Sequence, residues 1–132
     1  MRISFFLPMI PPTVTYQEKQ IHVVGGKPVP YEPPRLAAAR RKLEAHLGQH
    51  APERPLCGAV RLMVKWCFPV TGKHTDGQWK DTRPDTDNLQ KLLKDCMTRV
   101  GFWKDDAQVA SEIVEKFWAA HPGLYIVAEE LT

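Results

Sequence analysis

The sequence predicts a single α+β domain, a mixed β-sheet with two main helices packed on one of its faces. The length of 132 residues is that of one domain, which is expected to span residues 1–132. Strand-like and helix-like segments follow one another in the order strand, hairpin, helix, strand, helix, strand, strand. With 43% hydrophobic and 25% charged residues, the composition is ordinary for a globular protein and excludes a disordered chain or a coiled coil.

The first half of the chain predicts a strand, a hairpin and a helix. Residues 2–7 are mainly apolar and are followed by Pro8, which predicts a short strand that ends there. Residues 20–31 predict a β-hairpin arm, because a Gly-Gly pair supplies a tight turn between two strand-like segments. Residues 35–49 follow a Pro-Pro pair and place leucine and alanine side chains at helical spacing, which predicts a helix.

The second half predicts three strands and one further helix. Residues 58–68 alternate between the two faces of a strand, and residues 69–84 are polar, which predicts a long exposed loop. Apolar residues recur at i, i+3, i+4, i+7 and i+8 within residues 86–100, the buried stripe of a helix. Residues 109–118 and 123–128 predict two strands joined by a His-Pro-Gly turn.

Charge and cysteine content narrow the setting in which the protein works. The net charge is +3, and residues 27–65 hold eight Lys or Arg against three Glu, which favours nucleic-acid phosphates as partners. Three cysteines without a CxxC motif argue against a disulfide framework or a zinc finger and indicate a reducing, cytoplasmic setting. The apolar runs are shorter than the roughly 18–20 residues of a membrane helix and no signal-peptide pattern is present, so we expect no membrane partner.

The aspartates are concentrated in one part of the sequence. All seven lie within residues 76–106: Asp76, Asp81, Asp85, Asp87, Asp95, Asp105 and Asp106. Aspartate has a short side chain that suits a fixed ligand position. The alternative is that aspartate favours turns and helix N-caps, which accounts for three or four of the seven.

Two pairs of aspartates are placed so that they can meet. Asp85 and Asp87 lie where the polar loop becomes a helix, and Asp105 and Asp106 come just before the strand predicted at 109–118. The strand returns the chain to the sheet, so the pairs can form one site. Three or four carboxylates are the ligands that Mg²⁺ or Mn²⁺ requires. With a nearby lysine as charge stabiliser, this set suits metal-assisted hydrolysis of a phosphodiester.

The same residues also have structural interpretations. Asp85 or Asp87 can serve as a helix N-cap. Asp87, Lys91 and Asp95 recur at i, i+4 and i+8, which is also the pattern of a solvated helix face joined by ion pairs. Other site motifs are missing from the sequence: it contains no HExxH, no G-x-S-x-G, no EF-hand spacing and no phosphate-binding glycine loop.

Two segments resemble the paired motifs of the RusA family of Holliday-junction endonucleases. They are Pro-Asp-Thr-Asp-Asn-Leu-Gln-Lys at residues 84–91 and Gly-Phe-Trp-Lys-Asp-Asp-Ala-Gln-Val at residues 101–109. The resemblance implies a RusA-like α+β homodimer, often encoded by prophages, that resolves four-way DNA junctions by paired symmetric nicks in recombination and repair. It implies Mg²⁺ as cofactor, with Mn²⁺ as a substitute, and no organic cofactor. A two-fold junction needs two sites related by a two-fold axis, which fits a dimer.

The resemblance also implies roles for individual residues. Asp85, Asp87 and Asp106 match the family's essential acidic residues, which bind the metal, and Lys91 matches its catalytic lysine. Asp105 is implied as a neighbouring metal ligand of secondary importance. Asp95 also fits a family-like position. The chain departs from the family where Pro84, instead of a basic residue, precedes the first aspartate, and Arg83 lies one position earlier.

Basic and aromatic residues provide candidates for DNA contact. Basic side chains that can hold phosphates lie in the hairpin arm, in the first predicted helix and before the first aspartate pair: Lys27, Arg35, Arg40, Arg41 and Arg83. Trp79, in the polar loop, is a candidate for stacking on DNA, although it can equally fold back onto the protein. Trp66 is expected in the core. Phe102 and Trp103 are also expected there, with stacking on DNA bases as the alternative.

Two other functions are compatible with the same residues. The first is a non-catalytic accessory protein that binds branched DNA, in which the aspartates act as caps and ion-pair partners. The second is a metal-dependent phosphoesterase that acts on smaller nucleotide substrates.

Overall fold

The computed structural model describes residues 1–15 and 20–132. In chain order, its elements are β1 (Arg2–Pro8), β2 (Gln20–Val24), β3 (Lys27–Tyr31), α1 (Pro34–Gly48), β4 (Val60–Pro69), α2 (Thr86–Arg99), β5 (Val109–Ala119) and β6 (Gly123–Glu130). A single turn of 3-10 helix at Asp106–Gln108 leads into β5. The predicted strands and helices therefore occur at the predicted places, with ends that differ by one or two residues.

The strands form one four-stranded sheet and one separate hairpin. β1 and β4 each pair antiparallel with β6, and β4 pairs parallel with β5, which gives the order β1-β6-β4-β5. A parallel pair needs a crossover connection, and α2 provides it. In the β2–β3 hairpin, Gly25 and Gly26 have φ values of 59° and 79°, as the tight turns of hairpins require. The α+β class, with a mixed sheet and two helices, is confirmed.

The sheet and both helices contribute to one hydrophobic core. Along β4, every second side chain from Val60 to Phe68 is buried, the period of a strand with one covered face. The helices bury apolar side chains in the same cluster: Leu36, Leu43, Leu47, Leu89, Leu92, Leu93, Cys96 and Met97. Trp66, Phe102 and Trp103 are fully buried, as predicted. No helix in the described part of the chain is long and apolar enough to cross a membrane.

At the open edge of the sheet, residues 116–119 of β5 are covered by residues 70–84, which we call the edge segment. The sequence predicts an exposed loop here, and most of its side chains are exposed. Its backbone is nevertheless hydrogen-bonded to the strand, from Gly77 N to Trp118 O (2.8 Å), from Trp118 N to Gln78 O (2.8 Å) and from Lys80 N to Lys116 O (3.0 Å). Because an unpaired strand edge is a template for aggregation, such a covering segment protects the sheet.

Aromatic stacking fixes the edge segment further. The ring of His74 stacks on Trp118 with 4.0 Å between centroids, and the ring of Trp79 stacks on Phe117 with 4.5 Å between centroids. Both partners belong to β5. The path of the chain between β4 and α2 is therefore set by contacts with one strand.

We predict that Gly123→Ala destabilises the protein by about 1–3 kcal/mol, the usual cost of forcing an extra methyl group into a packed site. Gly123 begins β6 opposite Pro8, where a Cβ atom would collide with the carbonyl oxygen of Leu7 and the ring of Phe6. Urea denaturation measures the change. Gly48→Ala is the matched control, because open space surrounds Gly48 at the end of α1. Equal stability of the two variants would contradict this packing.

Candidate active site

A cleft of about 440 Å³ lies between α2 and β5. Its lining residues are Thr86, Asp87, Gln90, Lys91 and Lys94 from α2, Glu112 and Val114 from β5, and Asp106 from the 3-10 turn. The β4–β5 register pairs Glu112 with Leu62 and Val114 with Val64, so these β5 side chains point to the side of the sheet that carries the helices. The edge strand thus presents a partly polar face next to the helix.

Three of the four predicted catalytic residues line this cleft. Asp87 and Lys91 are four residues apart and therefore lie on the same face of α2. Asp106, one member of the second aspartate pair, joins them from a different element. All three side chains are exposed. These three residues therefore bring two carboxylates and one ammonium group to a position that a large substrate can reach.

The turn after α2 explains how Asp106 reaches the cleft. Gly101 has a φ of 94°, which ends the helix in the left-handed conformation that glycine adopts without strain. The Gly101 N–H donates to the Thr98 oxygen (3.2 Å) and the Phe102 N–H donates to the Met97 oxygen (3.0 Å). These two bonds form a Schellman motif, which reverses the chain. Burial of Phe102 then fixes the direction in which the chain returns.

Asp85 lies at the entrance of α2 and is exposed, but it does not line the cleft. It occupies the N-cap position, with φ of −74° and ψ of 147°, and its side chain makes no capping hydrogen bond. Its backbone oxygen accepts the first helical bond, from Leu89 N (3.1 Å). The capping role that the sequence allows for the Asp85 carboxylate is therefore not used.

Asp105 and Asp95 have structural contacts. The Asp105 carboxylate accepts a hydrogen bond from Ala107 N (2.8 Å), and the side chain of Gln108 accepts one from Asp105 N (3.2 Å), which forms a capping box. Asp105 lines a neighbouring cleft of about 360 Å³ together with Asp95, and Asp106 lines both clefts. For Asp105, the alternative that aspartate serves as an N-cap therefore applies.

The acidic residues fit a metal ion that is shared with substrate. Among residues 1–15 and 20–132, no group of three or more His, Cys, Asp or Glu side chains is arranged to hold a metal ion. Asp87 and Asp106 nevertheless supply two exposed carboxylates to one cleft. Mg²⁺ is commonly bound by one or two carboxylates together with substrate phosphates. The donor set therefore suits a hard divalent cation that completes its coordination with a phosphate.

Comparison with known proteins identifies the family. Residues 9–129 match the family model for Endodeoxyribonuclease RusA, which covers most of the chain. The chain belongs to the RusA family. The family predicted from the two aspartate motifs is confirmed, and so is the enzyme class, an endodeoxyribonuclease.

Relatives of this RusA-family chain include phage and bacterial proteins. It is 32% identical over 111 residues to the crossover junction endodeoxyribonuclease rusA of Lactococcus phage r1t, over 83% of each chain. It is 30% identical over 95 residues to YqaN of Bacillus subtilis, over 64% of this chain and 66% of YqaN. A stretch of 34 residues, 26% of this chain, is 56% identical to the crossover junction endodeoxyribonuclease RusA of Escherichia coli K12, of which it covers 28%.

Of the basic residues predicted to contact DNA, four are exposed in this RusA-family structure: Lys27, Arg35, Arg41 and Arg83. Arg40 is different, because only 6% of it is exposed. Its Nε donates to Glu32 Oε1 (2.9 Å), and its guanidinium lies 3.9 Å from Asp95 Oδ2. The assignment of Arg40 to DNA binding is therefore corrected: the residue joins α1 to α2 and to the segment before α1.

Trp79 folds back onto the protein, which is one of the two alternatives that the sequence leaves open. One face of its ring stacks on Phe117, so the side chain does fold back onto the protein. It is nevertheless 62% exposed. An aromatic ring held on one side and open on the other retains a surface on which a base can stack.

The cleft contains a polar network that is not predicted from the sequence. The buried Trp66 Nε1 donates to Gln90 Oε1 (2.7 Å), and Gln90 Nε2 donates to Glu112 Oε2 (2.7 Å). Lys94 Nζ donates to the other Glu112 oxygen (3.2 Å). The signal in the sequence is Gln90, a polar residue on the apolar stripe of α2, where only 3% of it is exposed. The network fixes how α2 is rotated above β4 and β5.

Lys80 and Lys116 lie where the edge segment approaches the site. Lys80 is buried, its Nζ donates to Thr82 Oγ1 (2.6 Å), and it lies 4.2 Å from the ring centroid of Trp118. Burial lowers the pKa of Lys80, the charge of Lys116 lowers this pKa further, and Asp81 acts in the opposite direction. Lys80 and Lys116 therefore lie close enough together for the charge of one to affect the other.

We predict that Gln90→Met lowers the free energy of unfolding by about 1–3 kcal/mol, because the buried Trp66 N–H loses its acceptor. Glu112→Gln is the matched control, since it keeps an oxygen for Gln90 or Lys94 and leaves the Trp66 bond intact. Urea denaturation followed by tryptophan fluorescence measures both variants. An unchanged stability of Gln90→Met would contradict the network.

Proposed function

We propose that this protein resolves Holliday junctions and related branched DNA by paired symmetric nicks, with Mg²⁺ as cofactor and Mn²⁺ as a substitute. The observation that supports this proposal is the meeting of Asp87, Lys91 and Asp106 in one open cleft of a RusA-family chain. The relatives from Lactococcus phage r1t and Escherichia coli are named crossover junction endodeoxyribonucleases. The proposed setting is DNA recombination and repair.

The cleft residues have distinct proposed roles. Asp87 and Asp106 hold the metal ion, with Asp85, at the exposed entrance of the same helix, as a third ligand. When bound, Mg²⁺ supplies Lewis-acid chemistry: it polarises the phosphodiester and lowers the pKa of a water molecule. The Lys91 ammonium group stabilises the negative charge that develops on the phosphate. Asp105 contributes indirectly, because its capping contacts fix the turn that carries Asp106.

The exposed cations provide the proposed DNA surface. Arg35 and Arg41 lie on α1, Lys27 lies in the hairpin, and Arg83 lies two residues before Asp85. These side chains hold backbone phosphates, so binding is expected to weaken steeply with salt. The open face of Trp79 is the proposed stacking surface.

We further propose that the active form is a homodimer. A four-way junction has two-fold symmetry, and paired nicks need two sites related by the same axis. Light scattering coupled to size-exclusion chromatography gives the oligomeric state of the free protein and of its complex with a junction. A complex that contains one protein molecule per cleaved junction would contradict the dimer.

Cleavage of a synthetic four-way junction tests the proposed function. The expected result is a pair of symmetric nicks on opposing strands in Mg²⁺, little cleavage of a linear duplex of the same sequence, and none in EDTA. Binding without nicks would indicate the non-catalytic accessory protein. Equal hydrolysis of the linear duplex or of small nucleotide esters would indicate a general phosphoesterase.

We predict that Asp87→Asn abolishes cleavage and leaves junction binding intact or stronger, because removing a carboxylate reduces repulsion from phosphates. Lys91→Ala is expected to slow cleavage by about 10²–10³-fold without loss of stability, as removal of one electrostatic stabiliser does. Single-turnover cleavage and fluorescence anisotropy measure the two effects. Asp81→Asn, an exposed aspartate outside the cleft, is the control and should cleave normally. Near wild-type cleavage by Asp87→Asn would refute the assignment.

Arg40 and Arg41, which are neighbours on α1, are predicted to respond differently to substitution. Arg41→Ala should weaken junction binding and reduce the slope of log K against log[salt] by about 1, as loss of one phosphate contact does. Arg40→Ala should instead lower the free energy of unfolding by about 1–3 kcal/mol, because it removes the pairs with Glu32 and Asp95. Anisotropy at several salt concentrations and urea denaturation separate these effects. The reverse pattern would contradict the placement of the two arginines.

A further inference from the structure

We propose that Lys116 is a positioning residue for the catalytic cleft, because its ammonium group holds the backbone that leads directly into Asp85. Lys116 itself does not line the cleft. Its proposed task is to fix the entrance of α2 relative to β5. The catalytic part of this inference rests on the proposed function, and its structural part rests on the hydrogen bonds of Lys116.

The contacts of Lys116 converge on the end of the edge segment. Its Nζ donates to the backbone oxygen of Thr82 (2.6 Å) and to that of Pro84 (2.7 Å). These carbonyls lie on either side of Arg83, and the second one belongs to the residue directly before Asp85. Hydrogen bonds from an ammonium group are shorter and about twice as strong as those between neutral groups. One side chain therefore binds the backbone on both sides of Arg83, on the path into α2.

The position of Lys116 on β5 gives these contacts their significance. The register pairs Lys116 with Trp66, so it lies on the side of the sheet that carries the helices, in line with Glu112 and Val114 of the cleft. The same strand begins directly after the turn that carries Asp106. β5 is thus connected to both aspartate segments. Its backbone continues from the turn that carries Asp106, and its Lys116 side chain binds the segment that leads into Asp85.

The edge segment is attached to the same residue from a second direction. Lys80 N donates to the backbone oxygen of Lys116 (3.0 Å), and Lys80 Nζ donates to Thr82 Oγ1 (2.6 Å). The two lysines therefore hold Thr82 through its side chain and its carbonyl group. Of these attachments, the bond to Pro84 is the one nearest to Asp85.

Loss of the Lys116 contact should affect catalysis because it would misplace Asp85 and Asp87. Displacing reacting groups by about 1 Å can cost about 10²-fold in rate, and residues that orient metal ligands typically change metal affinity or activity by about 10–100-fold. The apolar stripe of α2 keeps the helix on the sheet without Lys116. We therefore expect loss of Lys116 to shift the Asp85–Asp87 segment without unfolding the domain.

The experiment compares Lys116→Met, Lys116→Gln and Lys116→Arg with the wild type. Lys73→Met is the matched control, an exposed lysine in the same edge segment. Single-turnover junction cleavage is measured across Mg²⁺ concentrations, junction affinity is measured in EDTA, and hydrogen exchange is followed in the DNA-free protein. The Met variant should cleave about 10–100-fold more slowly or need more Mg²⁺, with unchanged junction affinity and faster exchange confined to residues 82–89. Arg should restore most of both properties.

Three results would overturn the proposal. The first is that Lys116→Met cleaves junctions at the wild-type rate with the wild-type Mg²⁺ dependence. The second is that its loss of activity is explained by weaker junction binding in EDTA. The third is that hydrogen exchange at residues 82–89 is unchanged. If Lys116→Met does not fold, the comparison of Arg with Gln decides, because equal exchange and equal cleavage of these two variants contradict a role for the paired donors.

The exchange measurement also separates this inference from the proposed function. If the wild type does not cleave junctions but Lys116→Met exposes residues 82–89, the positioning contact stands and the nuclease assignment fails. If the wild type cleaves junctions and Lys116→Met matches it in all three measurements, the inference alone fails.

Discussion

The placement of α2 over β4 and β5 is the constraint on which the rest of the site depends. α2 carries Asp87 and Lys91, and the Schellman motif at its end turns the chain towards Asp106. Its apolar stripe determines which face of the helix meets the sheet, but non-directional apolar packing leaves small rotations open. The directional hydrogen bond from Trp66 to Gln90 restricts these rotations inside the core. The chemistry at the surface is therefore oriented by a polar contact beneath it.

Four of the seven aspartates have three different kinds of surroundings. Asp87 and Asp106 face the cleft, Asp105 caps the 3-10 turn, and Asp95 pairs with Arg40 between the helices. Carboxylates gathered into a closed cage repel one another until a cation arrives, which would oppose folding. Distributing them over separate elements keeps this repulsion small. Packing and capping contacts supply the free energy that holds the exposed carboxylates in place.

Periodicity predicts this fold well because the strongest patterns are local. β4 alternates and α2 repeats at helical spacing, so their type and buried face follow from the sequence. The capping role of Asp105 also had a local signal, since Gln108 follows at capping-box spacing. The prediction of Arg40 as a DNA contact is wrong, although Arg40 continues the buried positions of Leu36 and Leu43 on α1. Its partners lie outside α1, and pairing between distant segments has no signature in a single sequence.

The edge segment shows how protection of the fold and construction of the site can share the same contacts. β5 is an edge strand, and its exposed backbone groups need a partner. The segment that covers this edge is also the connection from β4 to α2, so each hydrogen bond that protects the strand shortens the free chain before Asp85. A free connection of this length would cost conformational entropy whenever Asp85 had to be placed. Docking along β5 therefore fixes the entrance of α2, where Asp85 lies, through contacts within the protein itself.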